Sequence, residues 1–216
     1  MENILILIFN SIIVSSVMCA NDRIQHNISL LQPRSFCLMC HHLLKWYDLV
    51  PFFSAIFTFA KCRYCHKHFG WRYPALELTC TLFGTILWYS STLQWLIAVV
   101  LLFLSLEDCA SQAIHSYLII PLLLYAIHQH HDQSHIFLAL LISLISYYLV
   151  YIRHALGSGD IPVLLTLIFS TTTLVFVLGL LLGCCLATLF LALSSQKRLP
   201  FVPFLTVGWL LIGVLI

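Results

Sequence analysis

The sequence predicts an all-α fold, a polytopic membrane helix bundle of about eight spans with a small cytoplasmic four-cysteine loop domain. Three observations predict it. Hydrophobic residues make up 61% of the 216 residues and charged residues only 8%, whereas a soluble domain carries about a quarter charged residues. Nearly continuous apolar sequence follows Pro74. A polar segment with two Cys-x2-Cys pairs separates it from the first apolar run.

The apolar runs are candidate spans, because roughly 20 apolar residues in a helix cross a bilayer. They cover 4–20, 74–90, 92–106, 116–128, 135–152, 160–171, 174–193 and 200–216. The stretch 160–193 is too long for one helix, so we expect a turn at Thr171–Thr173, with Gly179 as the alternative break.

Three parts follow from these runs. We expect a first transmembrane span at 1–20, a cytoplasmic cysteine loop domain at 21–73 and a membrane-embedded domain at 74–216. The first run has no basic start, which favours a retained span over a cleaved signal peptide.

The basic residues predict the orientation of the spans, because Lys and Arg near span ends prefer the cytoplasm. Seven of the ten Lys and Arg residues lie in 21–72. If this segment is cytoplasmic and the spans alternate, then Arg153, Lys197 and Arg198 are cytoplasmic as well. The net charge of +2 gives no reason to expect a nucleic-acid partner. The apolar composition makes the lipid bilayer the expected environment.

The cytoplasmic segment contains Cys37-x2-Cys40 and, 21 residues later, Cys62-x2-Cys65. Two such pairs are typical of a structural zinc site with four thiolate ligands. Basic neighbours, Arg63 among them, would offset the negative charge of that centre. The alternative is two disulfides or four free thiols, and a cytoplasmic location disfavours the disulfides.

Few acidic residues lie in or beside the predicted membrane domain: Glu77, Glu107, Asp108, Asp132 and Asp160. Carboxylates in a membrane are costly and indicate function. Asp132 lies in a polar outer loop, where a solvated charge is the ordinary interpretation.

The predicted topology places Asp108, which ends the third span, and Asp160, which begins the sixth, at the same membrane edge. Two adjacent carboxyl groups can share a proton, so that one activates water while the other protonates the substrate. Gly157 and Gly159 precede Asp160 and would let a substrate backbone approach closely. The alternative for Asp160 is a helix cap.

These residues resemble the type IV prepilin peptidase family from about Ser35 to Gly208. The resemblance rests on the cysteine loop, the two aspartate motifs and a closing motif: Ser35–Cys40, Asp48–Pro51 with Ser54, Lys61–Cys65, Arg72–Leu78, Asp108 with Ile114, Gly157–Asp160 and Pro200–Leu205. The second aspartate motif is similar to the G-x-G-D element of presenilin-like proteases.

The resemblance implies an aspartyl endopeptidase of the bacterial cytoplasmic membrane, with Asp108 and Asp160 as catalytic residues. Its substrates would be type IV prepilins or pseudopilins, whose short basic leader is cut off at the cytoplasmic face. Many family members also methylate the new amino terminus with S-adenosylmethionine, an activity associated with the cysteine-containing region.

The sequence departs from the family pattern at three positions. The family usually has Pro and then Asp or Asn after the position of Ile114, where this chain has His115 and Ser116. Pro162 stands where the family often has Lys. These departures resemble the branch that processes competence pseudopilins. The alternative outside catalysis is a zinc-stapled membrane scaffold or a small transporter, in which the carboxylates bind ions or cap helices.

Overall fold

Helices dominate the structure, a computed structural model that describes residues 2–31, 34–50, 53–130, 132–194 and 199–215. Three residues used in the sequence analysis, Pro51, Lys197 and Arg198, lie outside the described residues. The chain divides into two compact units, Met1–Ile86 and Leu87–Ile216.

The first unit contains α1 (Glu2–Gln25), the short helix α2 (Phe53–Phe57) and most of α3 (Arg72–Ser90). Polar bonds join α1 and α3. Asn10 is buried in α1 and donates to Oγ1 of Thr85 over 3.4 Å, and the hydroxyl of Tyr73 donates to Asp22 over 3.2 Å. A buried amide needs such a partner, because a polar group without one costs free energy in an apolar surrounding.

The second unit is built from six helices in the part of the chain that the structure describes. They are α4 (Thr92–Ser111), α5 (Ile120–Gln129), α6 (Gln133–Tyr147), α7 (Asp160–Ser170), α8 (Thr173–Leu193) and α9 (Val202–Leu215). A 3₁₀ turn, Ser116–Ile119, leads into α5, and a π-helical turn, Tyr148–Ile152, extends α6. The predicted all-α fold is confirmed.

The predicted turn between α7 and α8 is also confirmed. The chain breaks after Ser170, and Thr172 caps α8 by accepting a hydrogen bond from the N–H of Val175 over 3.4 Å. A threonine hydroxyl satisfies a backbone donor that the first helical turn leaves free. The alternative break at Gly179 is wrong, because Gly179 lies inside α8.

Length and composition qualify four helices of the described residues to cross a membrane. They cover Glu2–Gln25, Thr92–Ser111, Gln133–Ile152 and Thr173–Leu193. Shorter apolar helices cover Ser116–Gln129, Asp160–Ser170 and Val202–Leu215. The count of about eight spans remains a prediction, since a helix of 10–17 residues crosses only where protein shelters it.

Glycines bring α8 and α9 into backbone contact. A methyl group on Gly179 would lie 3.2 Å from Cα of Trp209, and one on Gly183 would lie 3.0 Å from the carbonyl oxygen of Phe204. Small residues let apolar helices approach closely, and the gain is van der Waals packing. Gly179 therefore serves packing and leaves the helix unbroken.

The spacing of the buried residues in α4 explains where its aspartate points. Ile97, Leu101 and Leu104 are fully buried, and Asp108 follows them on the same helix face at steps of three and four residues. In α7, Val163 and Leu167 are buried on the face that begins with Asp160. Each aspartate thus lies at the end of an apolar stripe that is directed into the second unit.

Candidate active site and metal site

Asp108 lies in the last turn of α4 and is only 8% exposed. Its carboxylate accepts a hydrogen bond from the backbone N–H of Val202, the first residue of α9, over 3.0 Å. The start of α9 is a suitable place for a carboxylate, because the first N–H groups of a helix have no partner within it.

Asp160 begins α7 and is 7% exposed. Gly159 occupies the capping position of α7, and the Asp160 carboxylate accepts the N–H of Gly157 over 3.2 Å. Asp160 is therefore not the capping residue of α7, and its side chain bonds to the preceding loop and not to an N–H of the helix. Helices α4 and α7 are in contact. The fold therefore places the two predicted aspartates at the ends of two contacting helices of the second unit.

The two glycines of the G-x-G-D element have different neighbours. A methyl group on Gly159 would lie 2.6 Å from Cγ1 of Ile114, well inside van der Waals contact. A methyl group on Gly157 would lie 3.2 Å from Oδ2 of Asp160. The lack of a side chain at Gly159 thus lets Ile114, in the loop after α4, pack against it. The lack of a side chain at Gly157 lets the Asp160 carboxylate approach its backbone. Approach of a substrate backbone to these glycines remains a prediction.

Glu107, next to Asp108, is a residue to which the sequence analysis gave no role. It is buried to 1% exposure, and both of its carboxylate oxygens are engaged by His115. The backbone N–H of His115 donates to Oε2 over 3.0 Å, and the ring Nδ1 contacts Oε1. The one sequence signal that could have pointed to this contact was His115 itself, because it stands where the family usually has proline.

The four cysteines of the loop converge in the first unit. The Sγ atoms of Cys37, Cys40, Cys62 and Cys65 all lie within 4.8 Å of one another, and those of Cys37 and Cys65 are 4.0 Å apart. A tetrahedral zinc ion with Zn–S bonds of about 2.3 Å needs sulfur atoms about 3.8 Å apart. The donor set and its spacing fit a metal ion such as zinc, held by these four residues for structure.

The two Cys-x2-Cys segments have the same backbone conformation. In the first, Cys37 N–H donates to His42 and His41 N–H donates back to Cys37. In the second, Cys62 pairs with Lys67 and His66 in the same way. His41 and His66, which follow the second cysteine of each pair, both have a φ of 55°. This left-handed residue closes each turn so that both thiols face one point.

Electrostatics prepare one thiol of the cluster, Cys37, for a cation, whereas the pKa values of the Cys40 and Cys62 thiols are raised. Burial raises the pKa of the Cys37 thiol, but hydrogen bonds from the backbone N–H groups of Cys40 and Met39 outweigh it and lower this pKa to about 7. A thiol that ionises near neutral pH is a good metal ligand, since the thiolate is the species that binds.

Asp48 ties the second cysteine turn to the segment that lies between the two turns. Its carboxylate pairs with Nε of Arg63 over 3.1 Å and accepts the Tyr64 hydroxyl over 3.2 Å, and both partners lie between Cys62 and Cys65. It also accepts the N–H of Lys45 over 3.2 Å. Arg63, which we expected to offset the charge of the thiolates, is thus paired with Asp48.

Comparison with known proteins agrees with the predicted resemblance. Residues 8–91 match the family model described as the Bacterial Peptidase A24 N-terminal domain. That match contains the four cysteines of the loop and ends before Asp108. It therefore covers the candidate metal site and neither of the two aspartates.

Three relatives illustrate the similarity, and each is named a prepilin leader peptidase/N-methyltransferase. The protein from Burkholderia pseudomallei is 40% identical over 60 residues, 28% of this chain and 19% of the relative. The protein from Bacillus subtilis is 36% identical over 81 residues, 37% of this chain and 33% of the relative. The protein from Pseudomonas aeruginosa is 28% identical over 213 residues, 86% of this chain and 73% of the relative.

The stronger matches therefore span only about a fifth to a third of the relatives' length, and the weaker one extends over most of both chains. No solved structure gives a significant match.

Proposed function

Because this chain is a relative of the prepilin leader peptidases, we propose that it is a membrane aspartyl endopeptidase that removes the short basic leader from type IV prepilins or pseudopilins. The observation that carries the proposal is the pair of buried aspartates, Asp108 and Asp160, which lie at the ends of two packed helices. The relatives' names supply the substrate class.

The pair supplies what hydrolysis of a peptide bond requires. Two carboxyl groups in one buried site share a proton, because two like charges so close are unfavourable. The ionised carboxylate takes a proton from water, the resulting hydroxide attacks the scissile carbonyl carbon, and the protonated carboxyl gives its proton to the carbonyl oxygen. Proton transfer to the nitrogen then releases the mature amino terminus.

Each member of the pair accepts one backbone hydrogen bond. Asp108 accepts the N–H of Val202 at the start of α9 over 3.0 Å, and Asp160 accepts the N–H of Gly157 over 3.2 Å. Donors stabilise the charged form of a carboxylate. Either aspartate can therefore be the ionised member of the pair while the other carries the shared proton.

We place the aspartates and the cysteine loop on the cytoplasmic side of the bacterial inner membrane. The support is the charge pattern: if the eight predicted spans alternate, this one orientation brings all ten Lys and Arg residues to the cytoplasm. A prepilin leader is basic and stays on that side for the same reason. The apolar helix that follows the leader would then enter the bilayer beside the site.

A cleavage assay in membranes tests the proposal. The substrate is a prepilin with a basic leader ending in Gly, and the variants are Asp108→Asn and Asp160→Asn. Asp132→Asn is the matched control, because the Asp132 side chain is 80% exposed. We expect each site variant to lose at least about a hundredfold in rate and the control to cleave normally. Normal cleavage by either site variant rejects the role of the pair and favours the scaffold or transporter alternative.

The second candidate activity is methylation of the new amino terminus, which the relatives' names include. Mass spectrometry of the mature pilin made with and without S-adenosylmethionine decides it. A product one methyl group heavier in the presence of the donor supports methyl transfer, and an unmodified product in both cases indicates a peptidase alone.

A further inference from the structure

The loop after α4 is tied back to the helix by one buried side chain. Glu107 is 1% exposed, and His115 engages both of its oxygens, one through the backbone N–H and one through the ring. The ring Nδ1 and Oε1 of Glu107 form one hydrogen bond, and the backbone N–H supplies the other. The His115 side chain is 50% exposed, and it therefore links a buried acid to the surface of the protein.

The bonds bridge a sharp reversal of the chain. Helix α4 ends at Ser111, and Gln112 takes a left-handed conformation with a φ of 55° while its N–H donates to the carbonyl of Asp108 over 3.1 Å. A non-glycine residue in this region costs free energy and persists only where its surroundings hold it. The two bonds from His115 to Glu107 are such a constraint, because they fix the far end of the reversal.

The reversal places Ile114 against Gly159. Ile114 directly precedes His115, and its Cγ1 lies where a side chain on Gly159 would have to be. Gly159 in turn directly precedes Asp160. One path of contacts therefore runs from Glu107 through His115 and Ile114 to Gly159. The path starts directly before Asp108 in the sequence and ends directly before Asp160.

We propose that Glu107 and His115 form a clamp that positions the two aspartates relative to one another. Glu107 shares the last turn of α4 with Asp108, and the loop that it holds presses on the start of α7 beside Asp160. This inference rests on the proposed function, since it assigns positioning residues to the same site. Neither residue needs to touch the substrate.

The backbone bond requires a residue other than proline at this position. Proline, the usual family residue here, has no N–H, so it cannot make the 3.0 Å bond to Glu107. A buried carboxylate without that donor would be costly. In this chain, His115 supplies that donor to Glu107.

Kinetics of purified variants with a prepilin substrate test the clamp. We expect Glu107→Ala and His115→Ala each to lower kcat about tenfold or more, because small displacements of catalytic groups have effects of that size, while KM changes little. The double variant should be no slower than the slower single variant, since both changes break one unit. Glu107→Gln should keep most of the activity, because its amide oxygen accepts the His115 N–H and its NH₂ group donates to a neutral ring nitrogen.

The controls separate positioning from stability and from the proposed function. His128→Ala replaces an exposed histidine at the end of α5 and should leave kcat unchanged. Wild-type kcat in Glu107→Ala, measured per folded molecule, overturns the clamp, and so does an equal loss in Glu107→Gln and Glu107→Ala. Losses that multiply in the double variant also overturn it. In each of these cases the proposed function still stands if Asp108→Asn and Asp160→Asn are inactive, so failure of the clamp is distinguished from failure of the proposed function.

The test still decides if the Glu107→Ala variant does not fold. If Glu107→Ala does not accumulate in membranes, His115→Ala decides alone, because half of that side chain is exposed and its removal keeps the backbone bond to Glu107. A normal kcat in His115→Ala then contradicts the clamp.

Discussion

The backbone N–H of Val202 donates a hydrogen bond to Oδ2 of Asp108 over 3.0 Å and so joins two residues that are 94 positions apart in the chain. Val202 is fully buried and is the first residue of α9. The bond therefore fixes the side chain of one proposed catalytic residue to the start of a helix that carries no catalytic residue itself.

Replacing Val202 with proline removes this donor, and the start of a helix tolerates proline because its first N–H has no partner within the helix. A hydrogen bond to a charged group contributes about 1.5–3 kcal/mol, so we expect Val202→Pro to cleave prepilin roughly ten to a hundred times more slowly than Val202→Ala. Val202→Ala is the matched control, since it removes buried side-chain atoms and keeps the N–H. Equal rates for the two variants would show that the bond does not matter for cleavage.

The contact of Ile114 with Gly159 gives a second prediction. Gly159→Ala forces a methyl group to 2.6 Å from Cγ1 of Ile114, and overpacking of this kind costs about 1–3 kcal/mol. We expect a lower unfolding temperature and slower cleavage. Adding Ile114→Ala should restore stability, because it removes the atoms with which the new methyl group collides. An unfolding temperature that falls further in the double variant would contradict this packing.

The helix pair α8 and α9 gives a third. A methyl group on Gly208 would collide with the carbonyl oxygen of Gly179 and lie 2.8 Å from the nitrogen of Gly183. Both neighbours are backbone atoms that cannot rotate away, so Gly208→Ala should lower the unfolding temperature of the purified protein. Gly213→Ala is the control in the same helix, because nothing lies within 4 Å of its added methyl group. It should be neutral or slightly stabilising.

The cysteine cluster gives a fourth. Purified protein should carry about one zinc ion per chain, and Cys65→Ser should lose it, because a structural zinc site needs all four ligands. Cys184→Ser changes an exposed cysteine of α8 outside the cluster and should keep the metal. Elemental analysis measures the metal, and limited proteolysis within 35–69 reports the loosening that follows its loss. A full zinc content in Cys65→Ser would contradict the site.

The helices and the cysteine site could be predicted because their signals are local. Apolar runs mark the helices, the Thr171–Thr173 cluster marks a cap, and the spacing of Cys37, Cys40, Cys62 and Cys65 fixes which thiols can meet. Gly179 was a false alternative for the break, because a glycine in an apolar run serves equally for a bend or for close packing of two helices. Only the position of α9 decides between them.

The support around the aspartates could not be predicted, because it depends on contacts between distant parts of the chain. Val202 reaches Asp108 through its backbone, which no side-chain pattern reveals. Glu107 meets His115 only because Gln112 adopts a left-handed conformation, and nothing in the sequence demands that of a glutamine. The sequence places Asp108 at the end of an apolar run, but the meeting of this helix end with α7 could not be predicted.

Steady-state cleavage by purified Asp108→Asn, Asp160→Asn and the double variant tests the central claim most directly. Residues that act as one unit lose almost all activity with the first substitution, so the account predicts that all three variants show the same background rate while Asp132→Asn matches the wild type. A single-site variant that still cleaves measurably, with a further loss in the double variant, would contradict a shared aspartate pair.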